Sequence, residues 1–124
     1  MTLFMNLRQA AVGGGVKDPT FLDGDGTSAV WSLRPVPENR VANLLANHDI
    51  LFATHGFNVS LAAGACSLGR LEAALALPAS CQFIAVLWPG DYWLPFVNYP
   101  FEGSVAIDCG RRVASFCNRI LGLT

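Results

Sequence analysis

Two apolar runs of strand length, Ile50 to Ala53 (ILFA) and Phe83 to Leu87 (FIAVL), bracket a stretch whose apolar residues recur with helical period. Leu61, Ala65, Leu68, Leu71 and Leu75 form one stripe, while Ser60, Ser67 and Arg70 lie opposite. A helix between two continuous apolar strands specifies parallel neighbours covered on both faces, because parallel strands need a crossover of about this length. Asn58 is placed to cap the helix and Pro78 to end it. A second amphipathic helix follows. Its inward positions are Val105, Cys109, Val113, Phe116 and Ile120, and its outward ones are Asp108, Arg111, Arg112, Ser115, Asn118 and Arg119. Ser104 is its expected N-cap and Gly122 its expected C-cap, and Asp108 and Arg112 are spaced to pair. Residues 50–124 therefore read as a βαβα unit.

The front of the chain, residues 1–49, reads as two leading strands and a short helix. TLFMNL (Thr2 to Leu7) and SAVWSLRPV (Ser28 to Val36) are the strands, closed by Pro35 and Pro37. Between them lie Gly13-Gly14-Gly15 and Asp23-Gly24-Asp25-Gly26, both turn compositions. The aspartates lack the further ligands of a calcium loop, and the triple glycine lacks the Lys-Ser/Thr of a phosphate loop. Glu38 to Asn47, with Val41, Leu44 and Leu45 at helical spacing, is a surface helix. The expected fold class is α/β in one domain spanning 1–124, with an incomplete sheet flanked by helices.

With 8 basic and 9 acidic residues, a net charge of −1 and no basic block, nucleic acid and anionic membranes are poor partners. Apolar residues make up 52% and charged ones 14%, against roughly 25% charged in an average domain. That balance excludes disorder. It fits a sheet buried on both faces and some apolar surface covered by another polypeptide. Cys66, Cys81, Cys109 and Cys117 have no C-x-x-C spacing, and His48 and His55 are not arranged with them as ligands, so no metal or cofactor is expected. The N-terminus lacks a secretion signal, and the apolar region Ala73 to Trp88 is broken by Pro78, Ser80 and Gln82, so no membrane span is expected. The thiols read as buried and free, in a reducing cytoplasm.

The first apolar run leads directly into His55-Gly56-Phe57-Asn58. A strand ending this way before a helix puts backbone N–H groups beside a helix N-terminus, a suitable place to hold a developing oxyanion. The stretch LFATHGFN, followed some thirty residues later by Leu87-Trp88-Pro89-Gly90, resembles the α/β-hydrolases, in particular the branch carrying an HGFN motif. The resemblance covers roughly Ile50 to Leu121. It implies that Phe57 supplies an oxyanion-hole N–H, with Gly56 permitting close approach. It also implies that His55 and Asn58 order the loop, so that His55 is not the catalytic base. The aromatic segment after β-run FIAVL, with Trp88, Tyr92, Trp93 and Phe96, either lines an acyl or alkyl pocket or packs on itself.

The family's nucleophile stands on a G-x-S-x-G turn after a further strand, and its triad runs Ser, acid, His. The chain ends before such a strand is reached, so it reads as the N-terminal half of a hydrolase. Ala65-Cys66-Ser67-Leu68-Gly69 is similar to a damaged elbow, but no strand precedes it and both histidines come before it. Ser67 is thus a weak candidate nucleophile, and Cys66 is no better. In the family, the strand ending in HGFN lies between the FIAVL-type strand and the nucleophile strand. Without the latter, Ile50 to Thr54 is expected to be an open apolar edge that recruits another strand. The expected state is a homo-oligomer or a complex with a second chain carrying the C-terminal half. Two functions follow. One is the oxyanion side of a serine ester hydrolase, inactive unless complemented. The other is a non-catalytic α/β module that assembles through its edge and binds apolar acyl or alkyl ligands.

Overall fold

The computed structural model describes residues 1–9, 16–56, 59–89 and 102–122. In chain order the elements are β1 (Thr2–Arg8), β2 (Val16–Gly24), a 3₁₀ turn (Val30–Ser32), β3 (Arg34–Val36), α1 (Glu38–Leu45), β4 (Asp49–Thr54), α2 (Leu61–Leu75), β5 (Cys81–Leu87) and α3 (Glu102–Ile120). The five strands form one mixed sheet in the order β3-β2-β1-β5-β4. β1, β5 and β4 run parallel, and β2 and β3 continue antiparallel from β1. This is an α/β fold with an incomplete sheet, as the apolar patterning predicts.

Alternation along β5 sorts the core into two layers, because successive strand residues point to opposite faces. Phe83, Ala85 and Leu87 face Phe4 and the α2 residues Ala65 and Leu68. Ile84, Val86 and Trp88 face Met5, Leu7, the α1 residues Val41 and Leu45, and the α3 residues Cys109 and Phe116. β5 is central and buried, whereas β4 pairs only with β5 among the described residues. Leu51 on β4 is 38% exposed, as expected of an edge. α2 carries Ala65 against the Asp25-Gly26 turn and Glu72 against Thr2, whose hydroxyl donates to Glu72 Oε1 at 2.6 Å. Leu71 and Leu75 on the same helix are 40% and 42% exposed.

Three expectations need correction. The second strand is Val16–Gly24, not Ser28 to Val36; the latter stretch holds the 3₁₀ turn and only three strand residues. α2 is capped by Ser60, whose Oγ accepts from Ala63 N at 3.2 Å, not by Asn58. α3 begins at Glu102, so Ser104 lies inside its first turn. Gly122, with φ of +65°, follows the end of α3 in the left-handed conformation expected of a helix terminator. Asp108 pairs with Arg112 at 3.3 Å, and Arg112 also reaches Asp18 on β2 at 2.6 Å. No described helix is long and apolar enough to cross a membrane.

Candidate functional site

Because β1, β4 and β5 run parallel, their carboxyl ends meet along one edge of the sheet. Arg8, His55 and Trp88 are brought together there. Ligands of open α/β sheets gather at that edge. Trp88 donates its backbone N–H to His55 Nε2 at 3.2 Å, and its indole Nε1–H to the His55 carbonyl at 3.0 Å. Nε2 is therefore an acceptor, so Nδ1 carries the proton and donates to the Gly56 carbonyl at 2.9 Å. The two rings stack at 5.7 Å between centroids and 7° between planes. Both ring nitrogens are engaged in holding the corner, and His55 is buried.

Arg8 closes the other side. Its Nη1 donates to the Trp88 carbonyl at 3.0 Å and the Val59 carbonyl at 3.2 Å, tying the loop after β5 to the loop before α2. The sequence carries one signal for this role, a lone cation ending the buried run TLFMNLR. Gly64 on α2 permits the helix to approach: a Cβ there would stand 2.8 Å from His55 Cδ2. Thr54, the last residue of β4, donates its hydroxyl to the Val86 carbonyl at 3.2 Å.

Beside the corner, on the α3 face, lies a cavity of about 480 Å³. Phe52, Thr54, Gly56 and Val86 line it from the sheet, with Ala106, Cys109, Gly110 and Val113 from α3. Trp88, one of the expected pocket residues, belongs to its wall. A Cβ added at Gly56 or at Gly110 meets nothing within 4 Å among the described residues. Nothing in the described fold therefore requires glycine at position 56. Burial, reinforced by the Asp108 carboxylate, pushes the Cys109 thiol up to about 11, against the opposing Arg112 charge. Cys109 is protonated at neutral pH and is no nucleophile.

Phe57, Asn58, Tyr92, Trp93 and Phe96, expected at the oxyanion hole, its loop and the pocket, lie outside the described residues. Ser67 is exposed in the middle of α2 rather than on a strand-to-helix turn. The elbow-like run around it has another use. Ala65 is fully buried against Gly26, where a Cβ would come within 2.3 Å of the Ala65 carbonyl oxygen. Gly69 abuts the same turn, its own Cβ position 3.4 Å from Gly26 Cα. Asp25 orders that turn by accepting from the Thr27 hydroxyl and amide and the Ser28 hydroxyl, which together lower its pKa. The four cysteines are free thiols, and no group of three or more potential ligands is poised for a metal among the described residues. Comparison with family models, curated proteins and solved structures finds no match to this chain.

Proposed function

We propose that this chain is an α/β-hydrolase-like protein, the N-terminal part of a serine ester hydrolase of carboxylesterase or lipase type. In this reading it supplies the oxyanion side of a shared site. The observation that carries it is the His55-Gly56 corner, pinned by Trp88 and Arg8 at the carboxyl end of β4, beside a cavity and a strand with no outer neighbour among the described residues. A complementary polypeptide alongside β4 brings the serine, acid and base. The serine attacks the ester carbonyl, and the oxyanion forms against the Phe57 N–H. The alcohol then leaves, and water releases the acid from the acyl-serine. The free thiols support a reducing, cytoplasmic setting.

The test is hydrolysis of p-nitrophenyl esters by the purified chain, alone and with a candidate complementary fragment. No turnover alone and turnover on mixing is the expected result. Turnover by the chain alone that disappears in Ser67→Ala would overturn it. The second reading, a non-catalytic module, is favoured by the cavity's largely apolar wall and protonated Cys109. It expects assembly through β4 and ligand binding without turnover under any mixture.

A further inference from the structure

The cavity's walls specify its ligand more closely than the corner specifies a reaction. On the sheet side they are Phe52, Val86 and Trp88; on the α3 side, Ala106, Gly110 and Val113. No carboxylate, ammonium or guanidinium lines it among the described residues, and the Cys109 thiol is neutral. Among the described residues an ionised group has no charged partner on these walls and is costly to bury there. Among the described residues polar character comes from His55, whose two ring nitrogens are engaged by Gly56 and Trp88, and from Thr54 and Gly56, which are exposed and mark the mouth. A ligand that fits is apolar along its length and polar at one end.

Volume sets the length. Roughly 150 Å³ of dry apolar cavity accommodates benzene, six carbons. The cavity of about 480 Å³ is some three times that. Allowing for an open mouth, it holds an unbranched chain of roughly ten to sixteen carbons. Two positions create the space. α3 places a small residue at Ala106 and none at Gly110, one turn apart, and a Gly110 side chain would begin where no described residue lies within 4 Å. α3 keeps its one interior glycine after Gly103 at the cavity wall, although glycine weakens a helix.

We propose that this cavity binds the alkyl chain of a medium-to-long unbranched fatty acid or its ester, with the carboxyl group at the Thr54–Gly56 mouth. The inference deepens the functional reading and rests on the same cavity, but it is a statement about equilibrium binding and is measured without turnover. Failure of ester hydrolysis leaves it standing, and failure of binding leaves complementation to be judged by its own assay.

The experiment is isothermal calorimetry of the full chain with sodium alkanoates of six to fourteen carbons, below their micellar concentrations. Affinity is expected to rise about threefold to fourfold per added methylene, the increment for transferring CH₂ out of water. Gly110→Leu and Ala106→Leu fill the space from the helix side. They are expected to weaken dodecanoate at least tenfold and to leave hexanoate nearly unchanged. Retained hexanoate binding, with a thermal transition no lower than the parent's for Gly110→Leu, shows that the fold survives. Ser67→Ala, on α2 and away from the cavity, is expected to bind as the parent does. Absence of binding by any alkanoate overturns the proposal, including where a second copy of the chain fills the cavity instead. Affinity independent of chain length, or dodecanoate binding unchanged in both filled variants, overturns it equally.

Discussion

Gly64 and Gly110 both sit inside helices, where alanine in place of glycine normally stabilises by up to about 1 kcal/mol. Their surroundings split that expectation. A Cβ at Gly110 meets no described residue within 4 Å, so Gly110→Ala should raise stability by up to about that amount. A Cβ at Gly64 would meet the His55 ring at 2.8 Å, and that ring is fixed by its bonds to Trp88 and Gly56. Gly64→Ala should therefore destabilise, and urea denaturation of the two variants checks the opposite signs. His55→Ala leaves the buried Trp88 amide without its acceptor and should cost about 1–3 kcal/mol. Cys109 ties stability to pH. Its folded thiol pKa is raised to about 11 from 9.0, chiefly by burial, so the folded state holds the proton more tightly. The contribution is fully present below about pH 9 and is lost as pH rises through about 11. Denaturation midpoints should fall across that window, and less so in Cys109→Ala. At this scale the sequence is partly readable. His55 and Gly56 stand out through their place after an apolar run, whereas Gly64 and Gly26 give no sign that a neighbour far along the chain needs their missing side chains.

Among the elements, those with a long, strong period are the legible ones: β1, β4, β5, α2 and α3 lie within a few residues of where patterning puts them. β2 is hidden by its composition, since VKDPTFLDG contains Lys17, Asp18 and Pro19. Its pairing explains why these are tolerated. Asn6 faces Thr20 and Arg8 faces Val16, so the register shifts and the proline falls in the irregularity, where a missing ladder N–H costs little. SAVWSLRPV is apolar enough to mimic a strand, but a 3₁₀ turn with Ser32 Oγ bonded to the Ala29 carbonyl takes up its middle. At the start of α2, serine and asparagine two residues apart are equivalent by propensity, and the actual first helical residue decides for Ser60. Ser60→Ala should lower stability by about 1 kcal/mol through loss of the bond to the Ala63 amide, read as a fall in thermal midpoint.

For the whole molecule, the side of β4 left unpaired among the described residues is the controlling feature. Leu51 on the strand exposes apolar surface beside backbone groups with no strand partner among the described residues, and Leu71 and Leu75 of α2 are exposed as well. Such an edge is a template for further pairing. Size-exclusion chromatography with light scattering should find a species larger than the monomer, and Leu51→Lys should return it toward monomer. A monomer at all concentrations would refute this. The candidate site is legible to the extent that it depends on local order, His-Gly after a strand. Its remaining parts, Arg8 and the small residues of α3, join it only because three parallel strands end together. The same strand order governs how the chain assembles as it is synthesised. β1 and β2 are hairpin neighbours and can pair while the rest is still being made, but β5 must slot between β1 and β4, strands separated from each other by some forty residues. Until residue 87 has left the ribosome, the inner edges of both halves stay bare, and the window for capture by a chaperone or by a neighbouring nascent chain stays open.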